Sequence, residues 1–192
     1  MDVVEAIRRR RAYRSLAPVT ITDRMLADLA ESIRLAPSCF NHQPWRFVFV
    51  DDPSVLEEMH DALSRGNAWA RAASLIVAVF SREEDDCVIK QRIYHQFDTG
   101  MGVAFLLLRA TELGLVAHPI AGFSPRKTRR ILSIPEEFKV ITLVIVGRHS
   151  DVISPVLSDK QVAVEGKRPE RKDLAEFIHR NRYGEPFVPE RD

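Results

Sequence analysis

The stretch SLIVAVF (residues 74–80) is a run of apolar residues without the polar alternation of a half-exposed strand. It predicts a strand that is covered on both faces. Two further strands are predicted at WRFVFV (45–50) and VITLVIVG (140–147). Helical spacing of apolar residues predicts helices at residues 2–11, 23–35, 52–63, 95–113 and 124–132. This interleaving of helices and strands is typical of an α/β or α+β layer fold.

The length and charge of the chain narrow the classes of function. A chain of 192 residues is expected to form one domain with a full core. Its 28 Lys and Arg nearly balance its 27 Asp and Glu, so no global field attracts nucleic acid or an anionic membrane. The longest apolar stretch, residues 101–108, is too short to span a bilayer. No targeting sequence is recognised, and we expect a cytoplasmic protein.

The sequence contains two cysteines, Cys39 and Cys87. They match no zinc or redox spacing, and we expect both to be reduced thiols.

The C-terminal segment differs in composition from the rest of the chain. Residues 150–192 are polar and proline-rich, with too little apolar surface for a core of their own. Either they are partly disordered or they lie on a second subunit. Their spaced aromatic residues favour the second alternative.

Positive charge is concentrated near the N-terminus, in Arg8, Arg9, Arg10, Arg11 and Arg14. Such a run can be a solvated helix face or a nonspecific polyanion patch. The rest of the chain offers no second basic patch and no aromatic platform for nucleic acid. Guanidinium groups pair bidentately with phosphate oxygens, so the run favours a compact dianion as ligand.

The segment SCFNHQP (38–44) sets polar side chains directly before a strand. Pro37 ends the preceding helix. Asn41 and Gln43 each carry a donor and an acceptor, as the edge of a heterocycle with alternating C=O and N–H groups requires. The alternative is a loop in which these amides satisfy the local backbone. Trp45 is expected in the core and His42 at the surface.

The segment HPIAGFS (118–124) is a third candidate for ligand binding. Ala121 and Gly122 are small enough to let the backbone approach a ligand closely. The alternative is a simple turn before the next helix. The remaining histidines show no metal spacing, and neither a nucleophile elbow nor a phosphate loop is present in the sequence.

Taken together, five blocks of the chain resemble the nitroreductase family in order and spacing. They are RRRAYR (9–14), APSCFNHQPWRFVFV (36–50), ATELGLVAHPIAGF (110–123), LVIVGRHS (143–150) and ERKDLAEFIHRNRYG (170–184). The resemblance implies an α+β fold with a central mixed or antiparallel sheet flanked by helices. It also implies an intertwined homodimer in which residues 150–192 wrap the partner subunit.

The resemblance further implies FMN as cofactor and NAD(P)H as reductant. Arg10 and Arg11 would face the FMN phosphate and ribityl chain, and Arg14 the pyrimidine edge, where its charge stabilises the reduced flavin. Ala12 replaces the usual serine, so one side-chain hydrogen bond to the cofactor is missing. The other expected cofactor-binding residues are Pro37, Ser38, Asn41 and Gln43 from the partner, Ile120, Ala121 and Gly122 on the N5 side, and Arg171 at the phosphate.

The resemblance therefore predicts an oxidoreductase that transfers hydride from NAD(P)H through flavin N5 to a small acceptor, such as a nitroaromatic or a quinone. The kinetics are expected to be ping-pong. No side-chain nucleophile, metal, nucleic acid or membrane is expected to take part. Residues 60–95 would supply the substrate lid. The alternatives are a flavin-binding module without turnover, or a family member specialised for dehalogenation or azoline oxidation. Nucleic-acid binding through the arginine run is a distant third.

Overall fold

A central antiparallel sheet with helices on both faces forms the body of the protein, and the α+β prediction is confirmed. The computed structural model describes residues 1–189. The strands are β1 (Leu16–Ala17), β2 (Trp45–Val50), β3 (Leu75–Ser81), β4 (Val88–Ile89), β5 (Arg92–Ile93), β6 (Val116–Ile120) and β7 (Lys139–His149). The helices are α1 (Val3–Arg9), α2 (Asp23–Arg34), α3 (Pro53–His60), α4 (His95–Glu112), α5 (Pro125–Ile131) and α6 (Asp159–Glu165).

The sheet is built around β7, its longest strand. β3 pairs with one edge of β7, and β2 pairs with the far side of β3. The other edge of β7 is shared by β6 and β1. The pair β4–β5 is a separate small hairpin. Each pairing is antiparallel, so the apolar runs do not arise from a parallel sheet.

Burial of both sheet faces explains why β3 lacks polar alternation. Leu75, Val77 and Val79 pack into a cluster with α2 and α4. Their neighbours Ile76, Ala78 and Phe80 pack on the opposite side, against α3, α5 and the 3-10 segment Arg65–Ala72. Since neighbouring residues of a strand point to opposite faces, two covered faces require a continuous apolar run.

Local signals set the helix ends as the sequence predicts. The Thr22 hydroxyl accepts from the Met25 N–H at the start of α2, and the Asp52 carboxylate accepts from the Ser54 and Val55 N–H groups at the start of α3. Gly114 follows α4 with φ of +74°, a left-handed conformation suited to glycine. Trp45 is buried, as predicted.

One expectation about a segment needs correction. Residues 60–95 are not a lid as a whole, because Trp69 and Ala70 are buried and β3 runs through the middle of the sheet. The β4–β5 hairpin in this range is mostly exposed. Within residues 1–189, no helix combines the length and apolar character needed to cross a bilayer.

Candidate functional site

Residues 10–15 follow α1 without regular secondary structure, and the arginines among them line a cleft together with the C-terminal segment. The cleft, of about 220 Å³, is called here the arginine cleft. Its walls are Arg10, Arg11, Ala12, Arg14, Val164, Arg168, Pro169 and Arg171. The structure therefore brings together the four sequence-predicted residues of the N-terminal segment and Arg171, and adds Arg168, which the sequence analysis missed.

The arginine cleft holds positive charge without a neutralising partner. Within residues 1–189, neither Arg10, Arg14 nor Arg171 forms an ion pair or a side-chain hydrogen bond. Burial lowers the pKa of Arg10, and the charges of Arg168 and Arg171 lower it further. Because crowding of like charges in a half-buried site is unfavourable, an anion with several oxygens suits this cleft well.

Arg11 lines the same cleft, but its donors are engaged. Its guanidinium donates to the carbonyl oxygens of Val164, Glu165 and Gly166 at 3.2, 2.9 and 3.4 Å. It also lies over the Tyr13 ring, 4.5 Å from the ring centroid. Arg11 thus caps the last carbonyls of α6 and orders the cleft wall, which leaves fewer of its N–H groups for the expected ligand contact.

Glu165 fixes the path of the arginine segment. Its buried Oε1 accepts from the backbone N–H of Arg14 at 2.8 Å and of Ser15 at 2.6 Å. Arg168 closes the arrangement by donating to the carbonyl oxygens of Arg8 and Arg10. The first part of the C-terminal extension, residues 158–168, therefore packs on its own chain.

His118 joins the arginine segment to β6. Its Nδ1 lies 3.0 Å from the Tyr13 carbonyl oxygen, and its ring stacks on Trp69 at 4.7 Å between centroids. Burial lowers the pKa of His118, and nearby Arg14 and Arg10 also disfavour the charged form. The neutral ring therefore donates its Nδ1–H to Tyr13 and positions this segment beside the sheet.

The end of β6 offers free backbone donors. The Gly122 carbonyl oxygen accepts from the Ser64 N–H and from Asn67 Nδ2, at 3.0 and 2.9 Å. A Cβ at Gly122 would lie 2.5 Å from Ser64 Oγ and from Asn67 Nδ2, so any larger residue there would have to displace these two side chains. The N–H groups of Ala121 and Gly122 donate to no backbone or side-chain acceptor among residues 1–189, and Ala121 is exposed.

Residues 36–43 form the second candidate region, called here the amide loop. Phe40, Asn41 and Gln43 have φ of +47°, +59° and +51°, in the left-handed region that non-glycine residues rarely adopt. The Gln43 N–H donates to Ser38 Oγ, and Gln43 Nε2 donates to the Asn41 carbonyl oxygen. Three strained residues in one short loop require strong anchors.

One anchor of the amide loop is a disulfide between Cys39 and Cys87, so the expectation of two reduced thiols is wrong. Their Cα atoms are 6.1 Å apart, within the usual range for a disulfide. The second anchor is Asp98 on α4, whose buried Oδ2 accepts from the Cys39 N–H at 2.6 Å. The sulfurs of both cysteines and a carboxylate oxygen of Asp86 lie within 4.8 Å of one another. Sulfurs bonded to each other are not metal ligands, because a metal binds the thiolate.

The two candidate regions lie at opposite ends of α4. The amide loop is attached to the first turn of the helix through Asp98. Arg10 and Arg11 line a cleft of about 480 Å³ next to Thr111 and Gly114, where the helix ends. At 1.5 Å per residue, Asp98 and Thr111 are about 20 Å apart along the axis. Within one chain, the amide loop and the arginine cleft are therefore separate.

Comparison with known proteins agrees with the fold. The model of the nitroreductase family matches residues 7–68 and 60–148. An NADH dehydrogenase of Thermus thermophilus is 28% identical over 77% of this chain and 86% of its own length. A crystal structure of an oxidoreductase containing FMN is 28% identical, with a TM-score of 0.82 over 95% of this chain and 92% of that chain. A nitroreductase family protein from Clostridium difficile 630 shares the fold, with 21% identity and a TM-score of 0.77 over 95% and 99% of the two chains. The chain thus belongs to the nitroreductase family of oxidoreductases.

Proposed function

We propose that the protein is an FMN-dependent oxidoreductase of the cytoplasm, which uses NAD(P)H to reduce a nitroaromatic, quinone or related small acceptor. The arginine cleft carries this proposal, because it presents unpaired guanidinium groups to a compact anion. When bound, FMN supplies hydride acceptance at N5 and donation of two electrons to a second substrate, which makes the kinetics ping-pong.

In this proposal, the residues of the arginine cleft bind and orient the cofactor. Arg10, Arg168 and Arg171 hold the phosphate, since a guanidinium fork matches its oxygens. Arg14 sets a positive charge beside the pyrimidine edge, where negative charge increases on reduction. Arg11 and Glu165 position these side chains by fixing the backbone on either side of the cleft. Ala12 contributes backbone only.

Main-chain groups supply the contacts on the N5 side of the proposed site. The free N–H groups of Ala121 and Gly122 are the donors, and Ile120 is buried behind them. Thr142 holds this end of β6 in place, since its hydroxyl donates to the Ile120 carbonyl oxygen at 2.9 Å. A backbone N–H can donate a hydrogen bond on the N5 side whatever side chain position 121 carries.

A second copy of the chain completes the proposed site. Because the amide loop and the arginine cleft lie at opposite ends of α4, we infer that the amide loop over one flavin comes from the partner. Pro37, Ser38, Asn41 and Gln43 then face the ring. Exposed apolar side chains on α1 and α4 support such a homodimer, with Phe97 65% exposed and Val3 67% exposed. In the C-terminal extension, Leu174, Phe177 and Ile178 are exposed in the part beyond residue 168 and are available to wrap the partner.

The proposal is tested by the spectrum and turnover of the purified protein. We expect about one FMN per chain and steady NAD(P)H oxidation with a quinone or a nitroarene. FAD should bind poorly, because arginines that close around a terminal phosphate leave no path for the adenylate. Tight FAD binding with indifference to FMN would contradict the cleft assignment. Stoichiometric FMN without steady NAD(P)H oxidation would instead identify a binding module.

A further inference from the structure

We propose that the reduced form of the chain binds a tetrahedral zinc ion, with ligands from Cys39, His42, Asp86 and Cys87. Sulfur binds zinc as thiolate, so the zinc site and the disulfide are alternative states of the same two cysteines. The proposal concerns the anchor of the amide loop. It does not depend on the flavin chemistry, and its tests use no flavin substrate.

The four ligands come from two short segments of the chain. Cys39 and His42 are three positions apart in the amide loop, and Asp86 is adjacent to Cys87. The antiparallel pairing of β2 with β3 brings the two segments together. Every ligand therefore belongs to the same chain. Since a structural zinc site is closed by its four ligands, the site is complete whether or not a partner covers the amide loop.

The distances between the ligand atoms are close to those of a zinc site. His42 Nδ1 lies 3.8 Å from Cys87 Sγ and 3.7 Å from Asp86 Oδ1. Zinc bonds of about 2.3 Å to sulfur and about 2.0–2.1 Å to nitrogen or oxygen separate tetrahedral ligand atoms by roughly 3.3–3.8 Å. After reduction the two sulfurs need to move apart to about 3.8 Å. The Cα atoms of the two cysteines, 6.1 Å apart, leave room for that movement of the side chains.

Asp86 is a buried carboxylate with one oxygen free to bind a metal. Its side chain is fully buried, and its Oδ1 accepts from the Cys87 N–H at 2.7 Å, whereas its Oδ2 has no hydrogen-bond partner among residues 1–189. In this part of the chain Asp86 pairs with no lysine or arginine, and the nearby Asp98 adds a second negative charge. Buried carboxylates without a partner are unfavourable, and a cation coordinated by Oδ2 removes that cost.

The chemical types of the ligands favour zinc. Thiolate and imidazole ligands select zinc over magnesium and calcium, which prefer oxygen. Two thiolates and one carboxylate around a divalent ion leave a single negative charge, as in a Cys3His zinc site. Asp98 would act from outside the ligand set, because its Oδ2 accepts from the Cys39 N–H at 2.6 Å and so orients that ligand.

The first test compares the zinc content of the reduced and oxidised full-length chain. The reduced chain is purified with a phosphine, because a dithiol would itself bind zinc, and its two thiols are verified by alkylation and mass spectrometry. After incubation with zinc chloride and desalting, we expect about one zinc per reduced chain and none in the oxidised chain. Equal zinc contents would overturn the proposal. A folded chain that keeps its disulfide in the phosphine would overturn it as well.

The second test identifies the ligands through the zinc affinity of the reduced chain, measured in competition with a chelating dye. Asp86→Asn and His42→Gln should each lower the affinity by at least about tenfold, and Cys87→Ser by at least about a hundredfold. An unchanged affinity in Asp86→Asn or His42→Gln would remove that residue from the ligand set and overturn the four-ligand site.

Matched controls separate loss of a ligand from loss of surface charge. Asp85→Asn is the control for Asp86→Asn, because the Asp85 carboxylate pairs with arginine side chains. His60→Gln is the control for His42→Gln, because His60 pairs with Glu57 on α3. Both controls should bind zinc as tightly as the unsubstituted chain. Equal losses in the controls and the ligand variants would overturn the proposed site.

Cobalt(II) gives a spectroscopic test of the thiolate ligands. In the reduced chain, cobalt at the same site should show a thiolate-to-cobalt charge-transfer band in the near ultraviolet and the visible bands of a tetrahedral ion. Cys39→Ser leaves one thiolate, so the charge-transfer intensity should fall to about half or less. Bound cobalt without a charge-transfer band would show that other side chains hold the metal, and would overturn the proposal.

Discussion

The arginine cleft and the amide loop are held in place by opposite means. The cleft keeps its shape through hydrogen bonds between charged side chains and backbone, with Arg11, Glu165 and Arg168 as the connecting residues. The amide loop keeps a left-handed backbone through a covalent bond and one buried carboxylate. The arginine cleft therefore offers positive charge to a ligand, whereas the amide loop offers a fixed backbone shape.

The largest effect should come from removing charge from the arginine cleft. Arg10→Ala with Arg171→Ala deletes two phosphate contacts at roughly 1.5–3 kcal/mol each, which weakens FMN binding by about 10²- to 10⁴-fold. Flavin fluorescence titration measures the affinity. Arg9→Ala with Lys172→Ala removes the same charge from side chains that pair with Glu5 and Glu176 outside the cleft. Equal losses in both double variants would reduce the cleft to a diffuse cationic patch.

A complementation experiment tests whether the arginine cleft of one subunit and the amide loop of the other form one site. The cleft variant above is mixed with a loop variant, Ser38→Ala with Asn41→Ala, after each has been shown to lack bound FMN. If each site takes its cleft from one chain and its loop from the other, random heterodimers restore about a quarter of the sites. Absorbance of bound flavin after subunit exchange measures the fraction. No recovery despite proven exchange would place both regions in one chain's site.

A smaller effect is expected from the residue that connects the chain ends. Glu165→Ala leaves the N–H groups of Arg14 and Ser15 without an acceptor in a buried place. The free energy of unfolding should fall by about 1–3 kcal/mol, the cost of unsatisfied buried donors. Urea denaturation measures it, with exposed Glu170→Ala as the control. FMN affinity should fall as well, whereas the disulfide at the far end of α4 should form normally.

The smallest effect concerns acid stability on the cleft side. Burial lowers the pKa of His118, so the unfolded chain binds a proton that the folded chain excludes. Stability is therefore complete above the unfolded value of about 6.5 and falls below it, by up to about 1.4 kcal/mol per pH unit for one group. Urea midpoints at about pH 7.5 and about pH 5.5 measure the loss. His118→Gln should reduce the loss, His60→Gln should not, and identical losses in both would contradict the assignment.

The sequence predicted the parts of the fold that rest on local patterns. The three long strands and five helices follow from periodicity and capping residues, and the arginine run was evident as a charge cluster. The disulfide was missed because proximity depended on strand register. Cys39 and Cys87 each lie six residues outside the paired Trp45 and Ser81 of the antiparallel strands β2 and β3, which sets them opposite each other. Without knowledge of that register, a separation of 48 residues between two cysteines does not indicate a disulfide.

The connecting residues of the arginine cleft could not be predicted for a related reason. Glu165 and Arg11 lie in segments whose composition resembles any solvated surface, and the contacts between them span most of the chain. A single buried carboxylate that accepts from backbone N–H groups produces no periodic pattern in the sequence, so it cannot be recognised there. The roles assigned to the individual site residues toward FMN remain predictions.

The bond between Arg14 and Glu165 has a consequence for the order of events during synthesis. The two residues are 151 positions apart, so at roughly 5–20 residues per second the arginines wait on the order of 10–30 s for their acceptor. In that interval the N–H groups of Arg14 and Ser15 lack their Glu165 acceptor, and the arginine run is open to any polyanion within reach. The cofactor binding proposed for this cleft uses a wall formed by the end of α6, so we expect it only after α6 has been translated.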